Sequence, residues 1–429
     1  MAISTWLLVA AVAVLYAMGR TTPKRGVCMY RAPLGSPGKT SRASFDTSSQ
    51  KNVSACSFSE SYWEARAKFQ SLAKRAGMEL HTLPVVGERY TMDIAVLPGA
   101  SEDSGVVVHT SGVHGIEGYA GSAVQIAFME QLVASNTENR QERKPTLVLV
   151  HAVNPYGMAH FRRFNEHNVD LNRNALHQDE WAAALGRDRN VAGYENFDVS
   201  MFNPPSPPSL IDAYVGVFFK AIYAIARHGF VHMKRAIVAG QYHKPSGIYY
   251  GGQEMQASHR ILKSFLMERF TGTDEGIVTW IDVHTGLGPS GKDALMPDVR
   301  PDSKLSATKE TEAHFPGAFA INHMTSGSGD VAAGYELTTG TVGLFYPRLF
   351  PNSRKPLVVT QEFGTLPGIL VARAMILENQ AFVHAPETQP TWSEYTRDVF
   401  YVRTDAWRAS ILERGLAVLH QAIARSTTA

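Results

Sequence analysis

The chain has 429 residues, with 41 Lys and Arg against 39 Asp and Glu and a formal net charge of +2. That balance excludes the basic footprint of a nucleic-acid binder, and a 44% hydrophobic, 19% charged composition describes a globular enzyme-like chain. The two cysteines, Cys28 and Cys56, sit in or beside the N-terminal tail, too few to staple a fold of this length, so a metal site must use histidines and carboxylates.

Residues 6–18 form an apolar run, short for a membrane span and of the length of a signal-peptide core, with Ala17 and Gly19 suited to a cleavage point. No Lys or Arg precedes the run, whereas Arg20, Lys24, Arg25, Arg31, Lys39 and Arg42 follow it before the first acid, Asp46. Basic residues after an apolar segment favour keeping that side cytoplasmic, and an acid-free leader with Arg and Ser also fits an organellar transit peptide. Residues 1–19 are expected to be a signal peptide, signal anchor or targeting leader. The expected placement is secretory or membrane-anchored, with a mitochondrial one as the alternative, and any membrane contact would run through that segment. Asn52-Val53-Ser54 is a glycosylation acceptor if the chain is secreted. Residues 20–57, rich in Pro, Gly, Ser and Lys, read as a disordered linker.

Residues 60–76 carry a helical apolar stripe, with Ser59 as cap and Gly77 as stop. Strands are expected at 92–97 and 105–110, and a helix over 118–134. The run TLVLVH at 146–151 has the continuous apolar character of a strand buried on both faces. Helices are expected at 210–226 and 255–270, a strand at 277–283, weaker strands at 319–323 and 343–346, a strong one at 356–360, and closing helices at 368–382 and 404–423. Strands alternating with helices argue an α/β domain with a mostly parallel central sheet. In such folds ligands gather beyond the carboxyl ends of the strands. The Pro-rich patch at 203–209 reads as a surface excursion, because motifs lie on both sides of it.

Polar clusters follow these strands. The segment VVVHTSGVHGIEGYAG, 106–121, breaks from a strand into glycine-rich backbone that carries His114 and Glu117 three residues apart, within reach of one ion. Alone, His-x-x-Glu is a weak signal that more often marks a surface turn with a solvated Glu and a helix-capping His. The strand at 277–283 runs into His284, and the strand at 356–360 into Glu362. His114, Glu117 and His284 supply two imidazoles and one carboxylate, a donor set for one zinc ion. Asp282 is placed to orient a ligand, unless strand alternation buries it elsewhere. Glu362 is a general base able to take a proton from the attacking water and return it to the leaving amine. Asn172 and Arg173, with Arg163 or Arg162, offer a fork and an amide for a substrate carboxylate. A serine hydrolase is disfavoured, since Ser122, Ser246, Ser290 and Ser328 all lack the Gly-x-Ser-x-Gly setting of a nucleophile elbow.

In chain order, His114-Gly115-Ile116-Glu117, Asn154-Pro155-Tyr156-Gly157, Asp170-Leu171-Asn172-Arg173-Asn174, Asp282-Val283-His284-Thr285-Gly286 and Gln361-Glu362-Phe363-Gly364 resemble the zinc carboxypeptidase (M14) superfamily. SGVHGIEGYAGSAVQ, HAVNPYGMAHFRR, NEHNVDLNRN, GQYHKPSGIYYGGQE and TQEFGT are similar to its DUF2817 branch. The resemblance spans about residue 58 to the C-terminus and implies one catalytic domain over 58–429. The implied fold is a carboxypeptidase-like three-layer one, a mixed, mostly parallel eight-stranded sheet between helices. It further implies zinc at His114, Glu117 and His284, Glu362 as base, and Asn172-Arg173 as substrate anchor. The implied activity is hydrolysis of an amide next to a carboxylate in a peptide. The short segment before DLNRN and the IDVHTG sequence are also similar to the aspartoacylase and succinylglutamate desuccinylase branch, which keeps N-acyl amino acids open as substrates. A catalytically inactive binding module is the reading from another class. Digestive carboxypeptidases carry a tyrosine that closes on substrate; Tyr249 and Tyr250 are the residues available for it. They sit in the glycine-containing stretch 241–252, expected to be a specificity loop or a structural turn with core tyrosines.

Overall fold

Apolar residues alternate between two buried faces along the central strands, and that alternation builds the molecule. The computed structural model describes residues 56–100, 104–135, 145–270, 276–297, 304–321, 338–350, 353 and 356–427. The strands are β1 Glu79–Val86, β2 Tyr90–Leu97, β3 Val106–Ser111, β4 Thr146–His151, β5 Val278–Ser290, β6 Asp293–Pro297, β7 Ala320–Ile321 and β8 Leu357–Gly364. They form one eight-stranded sheet in the order β1-β2-β4-β3-β5-β8-β6-β7. β4, β3, β5 and β8 run parallel at its centre, and β2 and β6 flank them antiparallel. This is the mixed, mostly parallel sheet between helices that was expected.

The longer helices are α1 Tyr62–Arg75, α2 Gly118–Ala134, α3 Val217–His228, α4 Phe230–Val238, α5 Ala257–Phe270, α6 Lys304–His314, α7 Gly368–His384, α8 Gln389–Phe400 and α9 Asp405–Thr427. One face of the sheet presents Val107, Leu149, Ile281 and Val359 to a core shared with Phe69, Val124, Leu377 and Val418. The other presents Val108, Val148, Trp280 and Val358 to Leu262, Leu266, Tyr346 and Phe350. Each such side chain contributes about 1.5–3 kcal/mol by leaving water. The three layers follow from strands that are apolar on both sides.

Local signals explain several boundaries and misplace others. α1 starts two residues later than expected, at Tyr62, behind the cap Ser61, whose Oγ accepts from Glu64 N at 3.2 Å, and it stops before Gly77 at φ 69. The expected strand at 343–346 is instead a short helix, Val342–Phe345, continued by a 3-10 turn that holds Pro347 in its first positions. Short apolar runs carry no period that separates the two states. β1 escaped the sequence reading because an edge strand is half exposed and this one contains Pro84.

The expected leader at 1–19, nearly all of the 20–57 linker and His323 lie outside the described residues. The expectation of a secretory, membrane-anchored or mitochondrial placement is corrected: no helix among the described residues is long and apolar enough to cross a membrane.

Candidate metal centre

Beyond β3 the chain turns at Gly112, whose φ of +70 is a left-handed angle that glycine adopts without a Cβ penalty. Gly115 then lies against Gly157 so closely that a Cβ would sit 2.1 Å from the Gly157 carbonyl carbon. The amides of Gly115 and Ile116 donate to the carbonyls of Arg163 and Arg162 at 3.2 and 2.8 Å, tying the turn to a distant segment. The resulting 3-10 turn, Gly115–Glu117, brings His114 Nδ1 to 3.1 Å from Glu117 Oε1.

β5 supplies the rest by its period of two, which sets Trp280, Asp282 and His284 on one face. His284 Nδ1 lies 3.0 Å from His114 Nδ1 and 3.0 Å from Glu117 Oε2. Among the described residues, His114, Glu117 and His284 are the buried group whose ligand atoms gather as a metal ion requires, all within 4.8 Å. The outer nitrogens are also engaged: His114 Nε2 meets Asp170 Oδ1 at 3.0 Å and His284 Nε2 meets Asp282 Oδ2 at 2.6 Å. Thr110 Oγ1 donates to the other Asp282 oxygen at 2.6 Å and itself accepts from Trp280 Nε1 at 3.1 Å. Strand alternation therefore keeps Asp282 at the site.

This arrangement tests whether a zinc ion fits. With each Nε2–H donated to an aspartate, both Nδ1 atoms carry lone pairs, and these face each other and a carboxylate across about 3 Å. Acceptors so placed repel unless a cation or a proton lies among them. Two imidazole nitrogens and one carboxylate oxygen suit zinc, and aspartates behind the histidines fix the tautomers that ligation needs. Charge points the same way. Glu117, Asp170 and Asp282 are buried, and among the described residues the guanidinium in direct contact with them is that of Arg163, which donates from Nη1 to Glu117 Oε1 at 2.9 Å and from Nε to Asp170 Oδ2 at 3.1 Å. A divalent cation offsets the surplus of negative charge.

Burial pushes the Glu117 carboxyl up, but His114, His284 and Arg163 outweigh it and hold it below the usual range. Asp170 follows the same logic: burial raises it, and Arg163 and His114 bring it well below. For His284, burial disfavours the charged ring, while Asp282 and Glu117 raise it well above the ordinary value. Glu362 stands opposite His284 in the β5–β8 register and accepts from Leu287 N at 2.9 Å. Burial first and the Glu117 charge second push its carboxyl up to about 7, partly offset by His284.

The residues expected to hold substrate are placed unequally. Arg163 faces the centre, and its guanidinium lies 4.6 Å from the Tyr249 ring centre. Arg162 turns the opposite way, buried against Glu378 at 3.1 Å and over the Phe382 ring at 3.3 Å. Arg173 is buried, donates from Nε to Val238 O at 2.8 Å, and lies 5.5 Å from the same Tyr249 ring. Asn172 accepts from Val342 N at 3.0 Å.

Residues 241–252 form a docked turn with core tyrosines. Tyr242, Tyr249 and Tyr250 are buried, Tyr250 O takes the amide of Asp170 at 2.7 Å, and Tyr242 Oη donates to Arg173 O at 2.6 Å. Tyr249 stands at φ 56, where a bulky residue is strained. Asp170 as the partner of His114 was missed by sequence reasoning, though an acid two residues before Asn172 is a usable signal. Thr110 carried no such signal.

None of the curated proteins matches this chain. Among solved structures it is similar to bovine thrombin-activatable fibrinolysis inhibitor in complex with tick carboxypeptidase inhibitor, at 10% identity over 86% of this chain and 98% of that one, with a TM-score of 0.47. It is similar also to carboxypeptidase A from Helicoverpa armigera, at 14% identity over 82% of this chain and 73% of that one, TM-score 0.41. The description "Protein of unknown function (DUF2817)" matches residues 58–414, and the chain belongs to that family.

Proposed function

We propose that the chain is a zinc-dependent amide hydrolase that cleaves next to a carboxylate, with a carboxypeptidase-type action on peptides as the leading form and residues 58–429 as the catalytic domain. The observation that carries this reading is the convergence of His284 Nδ1 on His114 Nδ1 and on Glu117 Oε2, each at 3.0 Å, with both Nε2 atoms held by buried aspartates.

His114, Glu117 and His284 would hold one zinc ion, which supplies Lewis-acid activation of water and of the scissile carbonyl. Asp170 and Asp282 keep the rings oriented, and Arg163 keeps Glu117 and Asp170 in place. Glu362, held near neutrality by burial, takes the proton of the attacking water and passes it to the leaving nitrogen. Arg163 and Arg173, stacked on Tyr249, are the cations available to a substrate carboxylate, and Asn172 borders them. The aspartoacylase-like IDVHTG segment keeps N-acyl amino acids as the second substrate class.

The test is elemental analysis for zinc, paired with hydrolysis of C-terminal peptides and N-acyl amino acids, for the wild type and Glu362→Gln. One zinc per chain in both, with turnover in the wild type only, is the expected result, and the panel then chooses between peptides and N-acyl amino acids. Zinc without turnover in either protein would indicate an inactive binding module. No zinc after reconstitution would overturn the mechanism.

A further inference from the structure

Away from the candidate centre, a row of large apolar side chains faces solvent. A π-turn, Asp212–Gly216, runs directly into α3. Its inner side is small and packed: Ala213, Val217, Ala221 and Ala224 are buried. Arg373 of α7 donates to Ala213 O at 3.0 Å and lies 5.4 Å from the Phe218 ring centre, which fixes the segment in place. The outer side carries Ile211, Val215, Phe219 and Tyr223 at intervals of four, with Tyr214 and Ile222 beside them. Ile211 is 76% exposed, Tyr223 66% and Phe219 54%. A π-turn adds one residue to a helical turn, and such turns concentrate at functional sites; this one helps keep 211 and 215 in line with 219. Single exposed apolar residues need no explanation, but a contiguous row marks an interaction surface.

We propose that this face joins two copies of the chain, helix against helix about a two-fold axis near Phe219. A pairing of this kind requires a surface complementary to itself, and the row meets that requirement in shape and in charge. A ridge with a spacing of four packs into the groove beside the same ridge on another helix. A two-fold at Phe219 sets Arg227 of one copy on the side of Asp212 of the other, so unlike charges meet at both ends of the row. The six apolar side chains expose on the order of 100 Å² each, roughly 600 Å² per copy, which is the low end of a standard stable interface. The inference is independent of the hydrolase reading.

The experiment is sedimentation velocity and light scattering on the full chain across the micromolar range. The expected species is a dimer of the 47.0 kDa chain. Phe219→Glu weakens association at least tenfold and leaves the far-UV circular dichroism and zinc content unchanged, while the melt loses its dependence on protein concentration. Asp212→Arg and Arg227→Asp each weaken the dimer, although Asp212 also pairs with Lys220 at 3.4 Å within its own segment, and the double exchange restores it. A monomer at every concentration overturns the proposal, whether its row is bare, covered by the chain's own residues 1–55 or taken up by added anionic vesicles. A dimer that survives Phe219→Glu overturns it as well, and a double exchange that fails to restore association overturns the antiparallel pairing.

Discussion

The two histidines of the candidate centre reach the same point by different routes. His284 and its aspartate come from one strand: Asp282 lies two residues earlier on the same face of β5, and Thr110 of the neighbouring β3 stands at the matching register. His114 and its aspartate come from separate loops, with Asp170 arriving 56 positions later and held by Arg163, whose own carbonyl in turn ties down the 115–117 turn. The strand side is ordered by sheet hydrogen bonds that exist whatever occupies the site. The loop side is ordered by buried charge, so its geometry is tied to the balance of charges within it.

The largest effect tests the strand side. Glu362→Gln is expected to lower kcat by about 10²–10⁴-fold, the usual value of a general base, while zinc content stays at one per chain; loss of zinc together with activity would assign Glu362 to ligation instead.

The aspartates measure the contrast directly. Each Asp→Asn change is expected to weaken zinc binding roughly 10–100-fold, read by competition with a chelator. Asp170→Asn should in addition lower stability by about 3 kcal/mol in chemical denaturation, because Arg163 is left buried against half its partners. In the zinc-loaded protein Asp282→Asn should cost less, since a ligating imidazole is neutral and the group left behind carries no charge of its own. Equal losses at the two positions would erase the distinction between the sides.

Acidity gives a third test. A carboxyl raised to about 7 in the fold, against an ordinary value near 4.5, makes the folded chain bind the extra proton between those values. In chelator-treated protein, Glu362 therefore stabilises the fold below its unfolded value, and that contribution is lost as pH rises towards about 7. Glu362→Gln should flatten this slope. In the loaded enzyme kcat/KM falls as the base is protonated, with a limb at or below about 7 because a bound cation lowers the carboxyl.

The smallest effect concerns Tyr249. Tyr249→Phe keeps the ring beneath Arg163 and Arg173, whereas Tyr249→Leu removes a cation–π contribution of about 0.5–2 kcal/mol. The leucine variant should raise KM several-fold with little change in kcat, and the phenylalanine variant should restore it.

The same division explains what the sequence revealed. Runs such as TLVLVH at β4 and LVVT at the start of β8 declare themselves because both faces are buried, and Asp282 and His284 share a face by strand period alone. The spacing of His114 and Glu117 was legible for the same local reason. Asp170's bond to His114 was not, since it depends on how two loops close on each other. Nor was the setting of Tyr249, whose position is fixed by the carbonyl bonds of residues 241–252, or the split between Arg162 and Arg163, adjacent in sequence and opposite in direction. The helix at 342–345 was misread because a four-residue apolar run has no period to reveal.

The contact between Gly115 and Gly157 carries a consequence for any map of tolerated substitutions. Neither residue has a side-chain atom to offer a substrate or an ion, yet the smallest side chain at Gly115 would drive two backbones apart and carry the His114–Glu117 turn off its anchors at Arg162 and Arg163. In a saturation scan Gly115 should be as intransigent as His284. A scan read for chemistry alone would count a hinge pin among the reagents.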